Sequence, residues 1–155
     1  MQLPARRRDP LAKIGQTAVP RGRRRHGRLG AKAHAVIREP ESDLAILLQT
    51  FLNGGAYSGK RILSPTAVKA MTSDQNTHLN APWGVGWALG RSRAWNEFGD
   101  LVSPRTFGHA GASGTVEWAD PETQLICVVL TNRPLSVDGG LFLRLVSNAV
   151  AASVE

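Results

Sequence analysis

The chain has 155 residues, a single cysteine and a formal net charge of +7. This length is enough for one domain, the lone Cys127 excludes an internal disulfide, and no apolar run reaches the roughly 18 residues that a membrane-spanning helix needs. The basic start lacks the apolar stretch of a secretory signal, so the sequence leaves the localisation open.

The positive charge lies at one end of the chain. Residues 1–40 hold 11 basic against 2 acidic residues, a net charge of +9, whereas residues 41–155 hold 8 basic against 10 acidic residues, a net charge of −2. The first segment contains no aromatic residue and shows no helical or strand period, so it cannot bury enough apolar surface to offset the entropy of ordering. We expect residues 1–41 to be a basic, disordered segment and residues 42–155 to form the folded part.

Two further interpretations of the basic segment remain open. The arginine-rich run at residues 21–28 is of the kind that binds phosphate groups. No aromatic side chains interleave with it, so a solvated tail is the preferred interpretation, and nucleic acid is not an expected partner. The abrupt change of composition before Ser42 also favours the hypothesis that residues 1–40 derive from a shifted reading frame or a misplaced start, which a clean coding frame in the DNA would rule out.

The folded part is predicted to begin with two helices. Ser42 is a suitable N-cap, Gly54 and Gly55 end the first helix, and the helix has one apolar face formed by Leu44, Leu47, Leu48, Phe51 and Leu52. A polar turn at residues 57–60 follows. Ser64 then caps a second helix that has Pro65 at its first position.

An antiparallel sheet is predicted next. A glycine-containing strand at residues 83–89 precedes a long loop, and three strands follow, which are expected at residues 106–111, 115–118 and 125–132. Their β-branched and aromatic residues, bounded by Gly, Asp and Pro, predict a meander. A last helix from Asp138 is expected to cover one face of the sheet with Leu141, Leu145, Val146, Ala149 and Val150. The fold class is therefore α+β, an antiparallel meander covered by helices.

The strand end around His109 is the best candidate for a ligand-facing edge. It reads His109-Ala110-Gly111-Ala112 and continues into a turn of small residues. Glycine weakens a strand unless another group must approach the backbone closely. A lone histidine is nevertheless more often structural, so the residues alone leave both interpretations open.

Several segments in order resemble one family, the serine β-lactamase and penicillin-binding-protein-like hydrolases, in its class C and esterase-like branch. The resemblance covers roughly residues 42 to 154 and corresponds to the C-terminal part of the family domain. Its strongest segments are residues 103–111, 114–115, 118–122 and 128–133. His109-Ala110-Gly111 stands where the family has a Lys-Thr-Gly motif that is often His-x-Gly. The resemblance implies a partial β-lactamase or transpeptidase-like fold.

The resemblance also implies roles for three residues. His109 would contact the substrate, Gly111 would allow close approach of the backbone, and the Ala112 N–H would donate to the oxyanion. The parent reaction would be acyl transfer from an ester or amide to a serine and then to water. No metal or organic cofactor is implied.

The motifs that start this reaction are absent from the sequence. The family nucleophile lies in Ser-x-x-Lys, a spacing that places both side chains on one helix face, and a Tyr-x-Asn motif assists it. No lysine of this chain follows a serine at that spacing, and the only tyrosine, Tyr57, precedes Ser58-Gly59. Ser113 is assigned to the turn. We therefore expect no catalytic residue here and an inactive chain, so its status as an enzyme stays open.

Two alternatives remain. The chain could be a non-catalytic binding protein that uses its basic tail, or a half that complements a separate N-terminal chain. Expressed alone, residues 42–154 would leave a sheet edge and an apolar face uncovered, and unpaired edges favour association. We expect poor solubility or oligomers.

Overall fold

A computed structural model describes residues 41–79, 81–90, 92 and 96–154. The predictions for residues 1–40 lie outside this range, and the segment boundary at residue 41 stays a prediction. The helices are α1 (Glu41–Leu52), α2 (Pro65–Met71) and α3 (Leu141–Ala151), and the strands are β1 (Ala56–Tyr57), β2 (Lys60–Arg61), β3 (Ala88–Leu89), β4 (Phe107–Gly111), β5 (Thr115–Asp120) and β6 (Leu125–Leu130). The α+β class is confirmed.

The main sheet is the predicted meander. Its strands lie in the order β3-β4-β5-β6, and every neighbouring pair is antiparallel. Strand β5 runs two residues further than expected, to Asp120, and β6 ends two residues earlier, at Leu130. The β4–β5 turn needs glycine at Gly114, because its φ is +92° and a Cβ there would collide with the Arg133 carbonyl.

The first predicted strand is largely wrong. Only Ala88–Leu89 belongs to the sheet, and Trp83 contributes a single bridge to Ala88. The chain between them turns, with Gly86 at a φ of +81°. A second strand pair was missed in the predicted polar turn: β1 and β2 form a hairpin whose two turn residues, Ser58 and Gly59, both have positive φ, as a tight two-residue hairpin requires.

Helix α1 differs from the prediction at its start and on its buried face. The helix begins at Glu41, so Ser42 lies in its first turn and is not the N-cap. Its buried residues are Ala45, Leu48, Thr50 and Phe51, whereas Leu47 is 42% exposed. The helix end is as expected, because the Gly55 N–H donates to the Thr50 carbonyl at 2.8 Å. For α2 the Ser64 cap is confirmed, since its Oγ accepts from the Ala67 N–H at 3.1 Å.

Helices cover both faces of the sheet. On one face α1 and α2 enclose an aromatic cluster, in which the Phe51 ring lies 5.1 Å from Trp87 and 5.7 Å from Phe107, measured between centroids. On the other face Leu143 of α3 packs in one cluster with fully buried Trp118 and with Cys127. At the end of β4, His109 and Gly111 are half-buried and Ala112 is exposed.

The rotation of α3 is the main correction to the predicted fold. The helix begins at Leu141, not at Asp138, and it buries Leu143 and Ser147. Leu141 and Leu145, which were expected to face the sheet, are 47% and 56% exposed. The cause is polar: the Trp118 Nε1–H donates to the Ser147 Oγ at 3.0 Å, and that hydroxyl donates to the Glu97 carbonyl at 2.9 Å. A buried indole N–H needs such a partner, so the serine faces inward.

Cys127 should be unreactive in the folded protein. Burial raises the pKa of its thiol to about 11, and only the thiolate attacks thiol reagents. We expect iodoacetamide at mildly alkaline pH to label Cys127 slowly in buffer and rapidly in urea, as mass spectrometry would show. Equal rates in the two solvents would contradict this placement of the side chain.

Candidate functional site

The end of β4 and the turn that follows bring the predicted site residues together. The register pairs His109 with Glu117 and Gly111 with Thr115. Directly opposed residues of antiparallel strands share one face of a sheet, so these four residues lie on the same face. The Gly114 N–H donates to the Gly111 carbonyl at 2.9 Å and closes the turn.

His109 is half-buried and held in a defined orientation. Its Nδ1 lies 2.9 Å from the Ala110 carbonyl oxygen. Because a carbonyl can only accept, Nδ1 carries the proton of this hydrogen bond. The Trp83 ring stands edge-on at 5.7 Å between centroids. The imidazole is thus positioned by the strand itself and by a residue from the loop before β3.

Gly111 ends strand β4, and Ala112 begins the turn that follows it. Ala112 is exposed in the turn, and its carbonyl accepts the Leu135 N–H at 3.1 Å, which ties the turn to the segment after β6. A Cβ on Gly111 would collide with the Thr115 hydroxyl. The Thr115 hydroxyl therefore leaves little space for a side chain at Gly111, and the hydrogen bond from Leu135 holds Ala112 in place.

Glu117 is the residue of this face that the sequence analysis missed. It is directly opposite His109, and burial raises the pKa of its carboxyl, while the charge of His109 opposes that shift. The sequence could have identified Glu117, because pairing Gly111 with Thr115 across the turn places Glu117 opposite His109. This face of the sheet therefore carries a carboxyl group opposite the imidazole of His109.

The raised pKa of Glu117 predicts the direction in which folding stability changes with pH. A carboxyl whose pKa is higher in the folded state contributes stability below its unfolded pKa, near 4.5, and that contribution is lost as the pH rises through the folded pKa. Glu117→Gln should therefore gain stability relative to the wild type as the pH is raised from acid to neutral. Urea unfolding midpoints at both ends of this range measure the difference, with Glu122→Gln in the exposed turn as the control. A loss of stability at neutral pH would mean that attraction to His109 outweighs the cost of burial.

The described part of the chain offers no nucleophile of the expected kind. None of its three helices carries a serine one turn before a lysine, and Lys69 on α2 follows Thr66 at that spacing. Ser113 is exposed in the β4–β5 turn. Within the same residues no group of three or more His, Cys, Asp or Glu side chains could bind a metal ion, and no helix is long and apolar enough to span a bilayer.

One cavity lies away from the end of β4. It has a volume of about 830 Å³, sits beneath α2 near the start of β4, and is lined by Phe51, Val68, Lys69, Leu89, Arg105 and Phe107, among others. His109, Gly111 and Ala112 do not line it. The candidate site is thus the half-buried end of β4 with the exposed Ala112 turn, outside this cavity.

Comparison with known proteins agrees with this geometry. The family model described as Beta-lactamase matches residues 1–149. A protein of Escherichia coli O157:H7 named "Putative D-alanyl-D-alanine carboxypeptidase" is 38% identical over 108 residues, and its namesake in Salmonella gallinarum is 36% identical over the same length. The crystal structure of a β-lactamase from Mycobacterium bovis superposes with a TM-score of 0.62 at 28% identity and covers 72% of this chain.

These similarities cover only part of the relatives. The matched 108 residues make up 69% of this chain but 24% of each carboxypeptidase relative, and the chain covers 43% of the Mycobacterium structure. The expected resemblance to the C-terminal part of a β-lactamase-like or penicillin-binding-protein-like hydrolase is confirmed. Because the family model extends over nearly the whole chain, and a solved β-lactamase shares its fold, the chain belongs to the β-lactamase family.

Proposed function

We propose that this chain supplies the His-x-Gly wall of the substrate cleft of a serine hydrolase, and that it does not hydrolyse substrate alone. The reaction it serves is acyl transfer from an ester or amide to a serine, then to water. The observation that carries this proposal is the end of β4, where His109, Gly111 and the Ala112 turn lie together on one accessible edge.

Each residue has a role suited to its position. His109 contacts the substrate through a ring whose orientation is held by the Ala110 carbonyl. Gly111 allows the substrate to approach the strand, and the Ala112 N–H stabilises the negative oxygen of the tetrahedral intermediate. The name of the carboxypeptidase relatives supports an amide that ends in D-alanine as the substrate class.

A single oxyanion donor cannot replace the covalent path. Such a donor accelerates acyl transfer by roughly 10² to 10³-fold, and only when a nucleophile and a bound substrate are present. The described residues hold the donor and not the expected nucleophile. The chain alone should therefore show neither turnover nor acylation.

A covalent probe tests this proposal most directly. Fluorescent penicillin and a fluorophosphonate should leave the chain unlabelled, and hydrolysis of nitrocefin and of a peptide ending in D-Ala-D-Ala should stay at the buffer rate. Labelling that disappears in Ser113→Ala would overturn the proposal, because Ser113 would then be a nucleophile.

The second candidate function is that of a complementing half. The sequence has no Ser-x-x-Lys motif, so this function requires a separate chain that carries it. Mixing the chain with the N-terminal part of the Escherichia coli relative should restore hydrolysis, and His109→Ala should then lower the rate about tenfold or more. No gain in rate on mixing would count against this function. The basic-tail binding function concerns residues 1–40 and stays a prediction.

A further inference from the structure

The turn that carries Ala112 is held at both of the peptide groups that flank this residue. The Gly111 carbonyl accepts the Gly114 N–H at 2.9 Å, and the Ala112 carbonyl accepts the Leu135 N–H at 3.1 Å. In a trans peptide the N–H points opposite to the carbonyl of the same planar group. The Gly111 carbonyl and the Ala112 N–H share such a group, so the hydrogen bond from Gly114 sets the direction of the Ala112 N–H.

Gly114 is itself held by the segment that follows β6. The Gly114 carbonyl accepts from the Thr131 hydroxyl and, at 3.2 Å, from the Thr131 N–H. The Arg133 N–H donates to the same hydroxyl oxygen at 3.2 Å. The hydroxyl therefore accepts one hydrogen bond and donates another, which uses both of its capacities. Thr131 thus binds the turn through two donors, one from its side chain and one from its backbone.

The turn and this segment touch directly at Gly114. A Cβ at Gly114 would lie 1.8 Å from the Arg133 carbonyl oxygen and 2.8 Å from the Thr131 hydroxyl oxygen, so only glycine permits the contact. Thr131 is half-buried, and partial burial strengthens its hydrogen bond relative to one that is fully exposed to water. A single hydroxyl therefore acts on the turn without an intervening side chain.

We propose that Thr131 is a positioning residue for the Ala112 N–H. Its hydroxyl holds Gly114, and Gly114 holds the peptide group that points the Ala112 N–H away from it. This inference rests on the proposed function, in which the N–H donates to the negative oxygen of the tetrahedral intermediate. A preorganised donor stabilises developing charge without reorienting during the reaction. A residue that fixes the direction of the donor therefore contributes to the rate without touching the substrate.

Backbone dynamics of the full chain test the proposal without any hydrolase activity. Thr131→Val removes the hydroxyl and keeps the branched shape of the side chain. The order parameter of the Ala112 N–H from ¹⁵N relaxation should be near the rigid value of about 0.85 in the wild type and fall toward the flexible value of about 0.6 in this variant. Amide exchange at Gly114 should accelerate about fivefold or more. Thr131→Ser retains the hydroxyl and should restore both quantities.

Thr72→Val is the matched control. Thr72 is also half-buried, and its hydroxyl donates to the Val68 carbonyl at 2.9 Å at the end of α2. The variant loses a hydrogen bond of the same kind, yet the order parameter of Ala112 and the exchange at Gly114 should not change. Unchanged values in Thr131→Val, equal changes in Thr72→Val, or failure of Thr131→Ser to restore them would each overturn the proposal. The hydroxyl of Thr131 would then have at most a general effect on stability.

A rate measurement separates this inference from the proposed function. Where mixing with the N-terminal part of the Escherichia coli relative restores hydrolysis, Thr131→Val should lower kcat about tenfold or more and leave KM unchanged, because the donor acts in the transition state. A raised KM at constant kcat would contradict the positioning role. If mixing restores no hydrolysis, the complementing function fails, and the relaxation data still decide the role of Thr131.

Discussion

Replacing Trp118 by alanine should destabilise the chain by roughly 3–5 kcal/mol, the usual cost of removing a large core aromatic. The indole is fully buried in the core beneath α3. It also donates to Ser147, whose hydroxyl continues to the Glu97 carbonyl. Trp118 thus joins the sheet, the last helix and the loop before β4, and its loss affects all three.

Trp118→Phe separates the contribution of the hydrogen bond from the contribution of core packing. It keeps most of the ring and removes the N–H, while the Ser147 hydroxyl still has Glu97 as its acceptor. The expected loss is about 1 kcal/mol for the hydrogen bond, with a smaller contribution from the reduced volume. Urea unfolding by circular dichroism at one fixed protein concentration measures both variants. Similar losses for alanine and phenylalanine would mean that packing around the indole contributes little.

Gly108→Ala should be the most damaging small substitution in the sheet. A Cβ at Gly108 would collide with the Glu117 carbonyl and lie 2.7 Å from two atoms of Trp118. Because the obstacle is the backbone of the paired strand, β4 and β5 would have to separate. Overpacking costs typically 1–3 kcal/mol, and here we expect a loss at or above roughly 3 kcal/mol, or failure to fold.

Gly111→Ala in the same strand is the matched control. The Cβ at Gly111 meets only the Thr115 side chain, which can rotate away. Alanine is also favoured over glycine within a strand by roughly 0.5–1 kcal/mol, so the net change should be small. Thermal unfolding followed by circular dichroism compares the two variants. If Gly111→Ala costs as much as Gly108→Ala, the clash with the Glu117 backbone is not the cause.

The residues of the candidate site are neighbours in the sequence, so their arrangement does not depend on the helix that carries the nucleophile. His109, Gly111 and Ala112 belong to one strand and the turn that follows, and the turn is closed by a hydrogen bond between Gly114 and Gly111. A nucleophile on a helix would have to come from a distant part of the chain or from another chain. This is why we propose that the present chain supplies the cleft wall while the nucleophile belongs to another chain.

The elements that were predicted correctly are those that depend on neighbouring residues. The three strands of the meander follow from alternation and from glycine and proline at their ends, and the Ser64 cap and the stop at Gly54 and Gly55 are equally local. The proposed site at His109, Gly111 and Ala112 is equally local, because its members adjoin one another, and it stays a prediction. Its chemical role came from the family resemblance and not from the pattern itself.

Tertiary structure decided which side of each helix faces the sheet. On α3 the most apolar stripe contains Leu141 and Leu145, yet the helix buries Ser147, because the indole of Trp118, 29 residues earlier, requires a hydrogen-bond acceptor. The contact between Trp83 and His109 likewise joins residues 26 positions apart across the loop before β4. The sequence alone therefore determined the three strands of the meander, the turns between them and the Ser64 cap. The rotation of α3 and the surroundings of His109 were decided by hydrogen bonds and packing between distant segments, which leave no periodic signal in the chain.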